Sequence, residues 1–122
     1  MSASLSMMQI GLLCAYAIGM AGGQLLFKAA SLRLAGGASL TERMLSLALN
    51  PYFIAAMALY FALSVFWVWI LSFTPLSRAY PFVALAFAIT PLLGGLIFAE
   101  ALSLRLMIGL GIIVVGLIVV AE

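Results

Sequence analysis

Residues 50–77 read NPYFIAAMALYFALSVFWVWILSFTPLS, and no charged side chain interrupts them. A helix needs roughly 20 apolar residues to cross about 30 Å of hydrocarbon, and this run supplies them. Asn50-Pro51 marks its start, because a proline in the first helical turn lacks only an N–H that has no partner there anyway. Thr74-Pro75-Leu76-Ser77 marks its end. Working outward, three more segments meet the same requirement, giving expected spans at about 6–29, 52–74, 79–99 and 104–121. The connections after the second and third spans are very short, so those helices must run as antiparallel neighbours.

The rest of the composition agrees with a chain solvated by lipid. The protein is 68% hydrophobic and 7% charged, too little polar surface for a water-soluble domain. A net charge of +2, spread over five basic and three acidic residues, is too sparse for a nucleic-acid footprint. There is no His, no Asp and one cysteine, Cys14. That points away from metal sites, His-based catalysis and an internal disulfide. No glycine-rich phosphate loop is present, so neither a nucleotide cofactor nor enzymatic catalysis is expected. The first apolar run has no Lys or Arg before it and is too long for the core of a signal peptide, so it reads as a retained span.

One connection is long. It holds Gly36-Gly37 and then SLTERMLSLAL, in which Leu40, Met44 and Leu47 share a helical face. That pattern predicts a short helix lying at the membrane surface. Lys28, Arg33, Arg43 and Arg105 fall on the side of loops one and three, and Arg78 on the side of the termini. The positive-inside rule then puts those loops in the cytoplasm and the termini outside.

A few residues break the apolar pattern. Gln24 and Lys28 are four apart on the first span and share a face. A Lys near a helix end can snorkel to the interface, but the amide one turn deeper must find a partner. Together a donor amide and a cation suit an anion such as a phosphate. Gly19 and Gly23 form a small-x-x-x-small pair, the mark of close helix packing or of room for a ligand. Pro91 sits inside the third span, frees the carbonyl of Phe87 and should kink the helix. Tyr80 and Arg78 open that span, as belt and headgroup contacts or as ligand contacts. Trp67 and Trp69 lie on roughly opposite faces of the second span, so at least one should point away from lipid if the other points towards it, and either could wall a cavity or sit in an aromatic belt. Glu100, between the last two spans, could pair with Arg105, cap the last helix or carry a proton. Gly109 and Gly116, two turns apart on the last span, form a face for helix association, and four short spans call for a second subunit to enclose a path.

In this order and spacing the motifs resemble the four-helix members of the drug/metabolite transporter superfamily. Within it they look most like the small subunits that flip 4-amino-4-deoxy-L-arabinose-phosphoundecaprenol across the bacterial inner membrane. The resemblance rests on GQLLFKAA, with Gly23, Gln24, Lys28 and Ala30. It rests also on AYPFVALAF, with Ala79, Tyr80, Pro81 and Leu85, and on EALSLRLMIGLGIIVVG, with Glu100, Ser103, Arg105, Gly109 and Gly116. It implies an all-α, four-helix membrane domain working as a homodimer or heterodimer, without a cofactor, and a lipid-linked aminosugar destined for lipid A. Lys28, Gln24, Tyr80, Arg78, Trp67 and Glu100 are then the expected substrate contacts, and Gly109 and Gly116 the dimer contacts. The small multidrug exporters of the same superfamily carry a membrane-embedded Glu in helix 1, where this chain has Met20. That departure argues against proton-coupled cation export, the alternative function. A non-transporting subunit that supports a glycosyltransferase is the third reading.

Orientation is testable with alkaline phosphatase fused behind the fourth span and, separately, into the first long loop. The terminal fusion should be active and the loop fusion inactive. The reverse result places the termini inside.

Overall fold

In the computed structural model, residues 5–34 and 39–121 are described. Gly36-Gly37 and Glu122 lie outside them. Among the described residues the chain is all-helical, and four helical stretches are long and apolar enough to span a membrane. The first is α1 (Met7–Ser31), and the second is α3 (Pro51–Leu71). The third is built from α4 (Leu76–Ala79), a 3-10 turn (Tyr80–Phe82) and α5 (Val83–Ile97). The fourth is α6 (Leu104–Ala121). The expected short helix is present as α2 (Leu40–Ala48). Ser39 starts it, accepting from the Glu42 N–H at 3.2 Å, the Ser-x-x-Glu arrangement of a capping box. Its apolar residues Leu40, Met44 and Leu45 are exposed, as a helix resting on a lipid surface requires.

The first three spans differ from the expected boundaries by one to three residues and the fourth matches them, and local bonding explains where the differences fall. α1 opens at Ser6, which accepts from the Gln9 N–H at 3.1 Å while the Gln9 side chain accepts from the Ser6 N–H at 2.8 Å. α3 stops at Leu71 because the same Gln9 amide reaches across to the Phe73 carbonyl (3.0 Å) and the Thr74 hydroxyl (3.1 Å) and holds the following turn against α1. The third span therefore starts at Leu76, and Pro75 supplies its non-helical N-cap backbone. α5 ends at Ile97, beyond which Ala99 takes a left-handed backbone with φ 55°.

α1 is the hub. It packs against α3 and α5, whereas α6 leans on α5 and the 3-10 turn. Leu13, Ala17 and Ala21, each one turn apart, are fully buried in it. The α1–α3 contact is set by glycine. A Cβ on Gly19 would lie 2.8 Å from Leu63 Cδ2, and one on Gly23 would lie 2.6 Å from the Tyr60 ring. Within lipid there is no hydrophobic drive between helices, so such close approach and its dispersion contacts are what hold them together. The small-residue pair of the first span thus serves packing, while Gly22 beside it faces open space.

The buried core residues Leu13, Ile70, Ala79, Phe82 and Leu117 cluster toward the end that carries the termini. At the other end the elements are tied by Asn50. This buried residue donates to the Ala30 carbonyl at 3.2 Å and accepts from the Tyr52 N–H at 2.9 Å. One side chain therefore caps α3 and satisfies a carbonyl in the last turn of α1. Asn50→Ala should cost about 1–2 kcal/mol of stability, read as a shifted midpoint in detergent unfolding. Asn50→Asp should not recover that loss, because it keeps the cap but sets a buried acceptor against the Ala30 carbonyl where a donor stood.

Candidate functional site

The residues that broke the apolar pattern of α1 line a groove between α1 and α5. Two adjoining cavities share Gln24, Thr90 and Pro91. The deeper one, about 380 Å³, is also lined by Met20, Ala86 and Phe87. The other, about 250 Å³, lies toward loops one and three and adds Lys28, Gly94, Phe98 and Glu100. Phe87 is 61% exposed, so the groove opens on the outer flank of the bundle, where lipid lies.

Lys28 Nζ sits 3.2 Å from Glu100 Oε2, and the two side chains are 43% and 52% exposed. The pair joins the last turn of α1 to the connection between α5 and α6. Glu100 therefore takes Lys28 as its partner, where the sequence had suggested Arg105 or a helix cap. The cap of α6 is Ser103, whose hydroxyl accepts from the Leu106 N–H at 3.1 Å. The left-handed residue at Ala99 turns the chain out of α5 just before Glu100. Gly94 leaves space beside the carboxylate, since a Cβ there would come within 3.8 Å of Oε1.

Gln24 finds one partner for its amide within the protein. Its Nε2 donates to the Tyr60 hydroxyl at 2.8 Å, and that hydroxyl donates to the Met20 carbonyl at 3.2 Å. Tyr60 also stacks on Phe27, with ring centroids 5.2 Å apart. Sequence reasoning passed over Tyr60. The signal was there: a tyrosine in mid-span has a hydroxyl that hydrocarbon cannot satisfy, and so it needs a partner on a neighbouring helix.

The remaining expected contacts are elsewhere. Trp67 turns inward, as one of the two tryptophans had to, and Trp69 is 52% exposed. Trp67 stacks on Tyr16 at 4.6 Å and meets the Tyr80 ring edge-on at 6.4 Å. Arg78 belongs to α4, one residue before the buried core alanine at 79. Tyr16 is 12 residues before Lys28 on α1, or about 18 Å along the helix axis at 1.5 Å per residue. Tyr80, Arg78 and Trp67 thus form a separate group near the termini and do not join Gln24, Lys28 and Glu100. Pro91 lines both cavities, and α5 continues through it as helix to Ile97. Gly109 and Gly116 have nothing within 4 Å of a built Cβ, so the α6 face that carries them is open.

Among the described residues no group of His, Cys, Asp and Glu could hold a metal ion.

The chain is 34% identical over 56 residues to a Hamiltonella defensa protein described as "Probable 4-amino-4-deoxy-L-arabinose-phosphoundecaprenol flippase subunit ArnE". The match covers 46% of this chain and 50% of that relative, so it spans about half the length of the curated protein. No family model matches the chain, and no solved structure does. Among the described residues four helical stretches are long and apolar enough to cross a membrane, and the chain is a multi-pass membrane protein.

Tyr60→Phe tests the mid-span network. Losing the hydroxyl between Gln24 and Met20 should cost about 0.6–1.7 kcal/mol in detergent unfolding, the range for interhelical hydrogen bonds in membranes. An unchanged midpoint would show that the bond contributes no stability.

Proposed function

We infer that the chain translocates a polyprenyl-phosphate-linked sugar, an aminoarabinose-type headgroup, across the bacterial inner membrane for lipid A modification. It does so as one of two related four-helix subunits. The observation that carries this reading is the groove itself: mainly apolar in its deeper part, open at its flank, and holding Gln24 and Lys28 on one wall. A lipid needs a polar path only for its head, because its tail stays in the bilayer. Lys28 is a point charge suited to a phosphate oxygen, and the Gln24 amide has a second N–H beyond the one used on Tyr60. The similarity to the ArnE flippase subunit supports the same substrate class and a paired assembly. The open α6 face with Gly109 and Gly116 is the surface offered to a second subunit, since glycine lets helix backbones approach closely.

Export of a small apolar molecule is the second reading, favoured by the apolar lining of the deeper cavity. Met20 lines that cavity and brings no charge for proton exchange. Mass spectrometry of lipid retained by the purified protein decides between the two. A polyprenyl phosphate should be found, and Lys28→Ala and Gln24→Ala should each lower its retention about tenfold, the loss of one charge-assisted contact. Absence of such a lipid, together with proton-dependent efflux of a dye, would establish the exporter instead.

A further inference from the structure

The Lys28–Glu100 pair creates a charge balance that a purely anionic ligand upsets. With no ligand, each side chain neutralises the other at 3.2 Å in the wall of the groove. A phosphate that draws Lys28 away leaves Glu100 facing the groove without a counter-charge and sets a second anion beside it. Both effects oppose binding. A neutral headgroup gains from neither partner. A headgroup with both a phosphodiester and an ammonium exchanges completely: the phosphate takes Lys28, the ammonium takes Glu100, and one ion pair becomes two. We propose that the groove selects zwitterionic lipid headgroups, with Glu100 as the acceptor for the ammonium and the Lys28–Glu100 pair as the contact that opens on binding.

This rests on the groove being the headgroup path of the proposed function. The geometry around Glu100 fits the role. Gly94 leaves room beside Oε1, and the carboxylate is half exposed, so a cation can approach without displacing backbone. The ion pair closes the loop end of the groove, while Gln24 and Pro91 continue it inward. Two lipids carry this chemistry, an aminosugar on a polyprenyl phosphate and phosphatidylethanolamine.

The test is native mass spectrometry of the full chain with its co-expressed partner subunit, if one co-purifies. Four lipids are offered in equal amounts: the polyprenyl-phosphate aminosugar, its N-acetylated form, phosphatidylethanolamine and phosphatidylglycerol. Wild type should retain the amino form about tenfold better than the N-acetyl form, the scale of one charge-assisted contact. Glu100→Gln should bring that ratio near one while retention of the N-acetyl form persists, and Lys28→Gln should lower both. The charge-reversed double variant, Lys28→Glu with Glu100→Lys, preserves the pair and reports on folding, and the wild-type comparison needs no variant. Equal retention of the amino and N-acetyl forms, with phosphatidylethanolamine no better than phosphatidylglycerol, overturns the selection and leaves the polyprenyl reading standing. Preference for phosphatidylethanolamine with neither polyprenyl lipid retained upholds the selection and overturns the polyprenyl reading. An amino preference undiminished in Glu100→Gln overturns the role of Glu100.

Discussion

Two helices in lipid gain nothing from hiding apolar surface from each other, because the tails around them are equally apolar. What they can gain is closeness. On α1 this comes from Gly19 and Gly23, whose bare backbones receive Leu63 and Tyr60 at distances that leave no room for a methyl group. The rest of the arrangement depends on that contact. It sets α3 against one side of α1, leaves the other side to α5, and delivers the Tyr60 hydroxyl to the level of Gln24 on α1. The groove on the α5 side is what remains once α1 is fixed from behind.

The bundle is packed unevenly along its length. Large side chains, with Tyr16 and Trp67 stacked among them, fill the end near the termini. The opposite end is held by the Phe27 ring against Phe53 and Tyr60, by small buried residues such as Ala30 and Ala56, by Asn50 and by the Lys28–Glu100 pair. Apolar packing is costly to separate, whereas a half-exposed ion pair contributes little net stability and exchanges partners readily. The end with Lys28 is therefore the end that can accept a charged group without dismantling a core.

Much of this was legible in the sequence, and the limits have physical causes. The four spans and the surface helix followed from apolar run length and from Leu40, Met44 and Leu47, and the inward turn of one tryptophan followed from their two-residue spacing. Gln24 and Lys28 stood out because polar side chains are rare in lipid. The partners were not legible. α3 is apolar on every face, so no periodicity shows which side meets α1 or singles out Tyr60. The ion pair depends on how the chain turns after α5, which a non-glycine residue in a left-handed conformation does not advertise. The height of Tyr80, Arg78 and Trp67 in the bundle was not legible either, because a motif gives order along the chain and not position across it. Helix α1 separates the two groups by three turns.

Ala99 connects the architecture to the freedom of the sequence to vary. At φ 55° a β-branched side chain crowds its own backbone, so Val, Ile and Thr are disfavoured there, whereas Gly and Asn fit with less strain. The nearby Leu96 and Ile97 are exposed and tolerate almost any apolar side chain. An inconspicuous alanine, uncharged itself but next to Glu100, is thus among the narrowest choices in the chain. Drift there would re-aim the carboxylate at 100 while leaving every span intact.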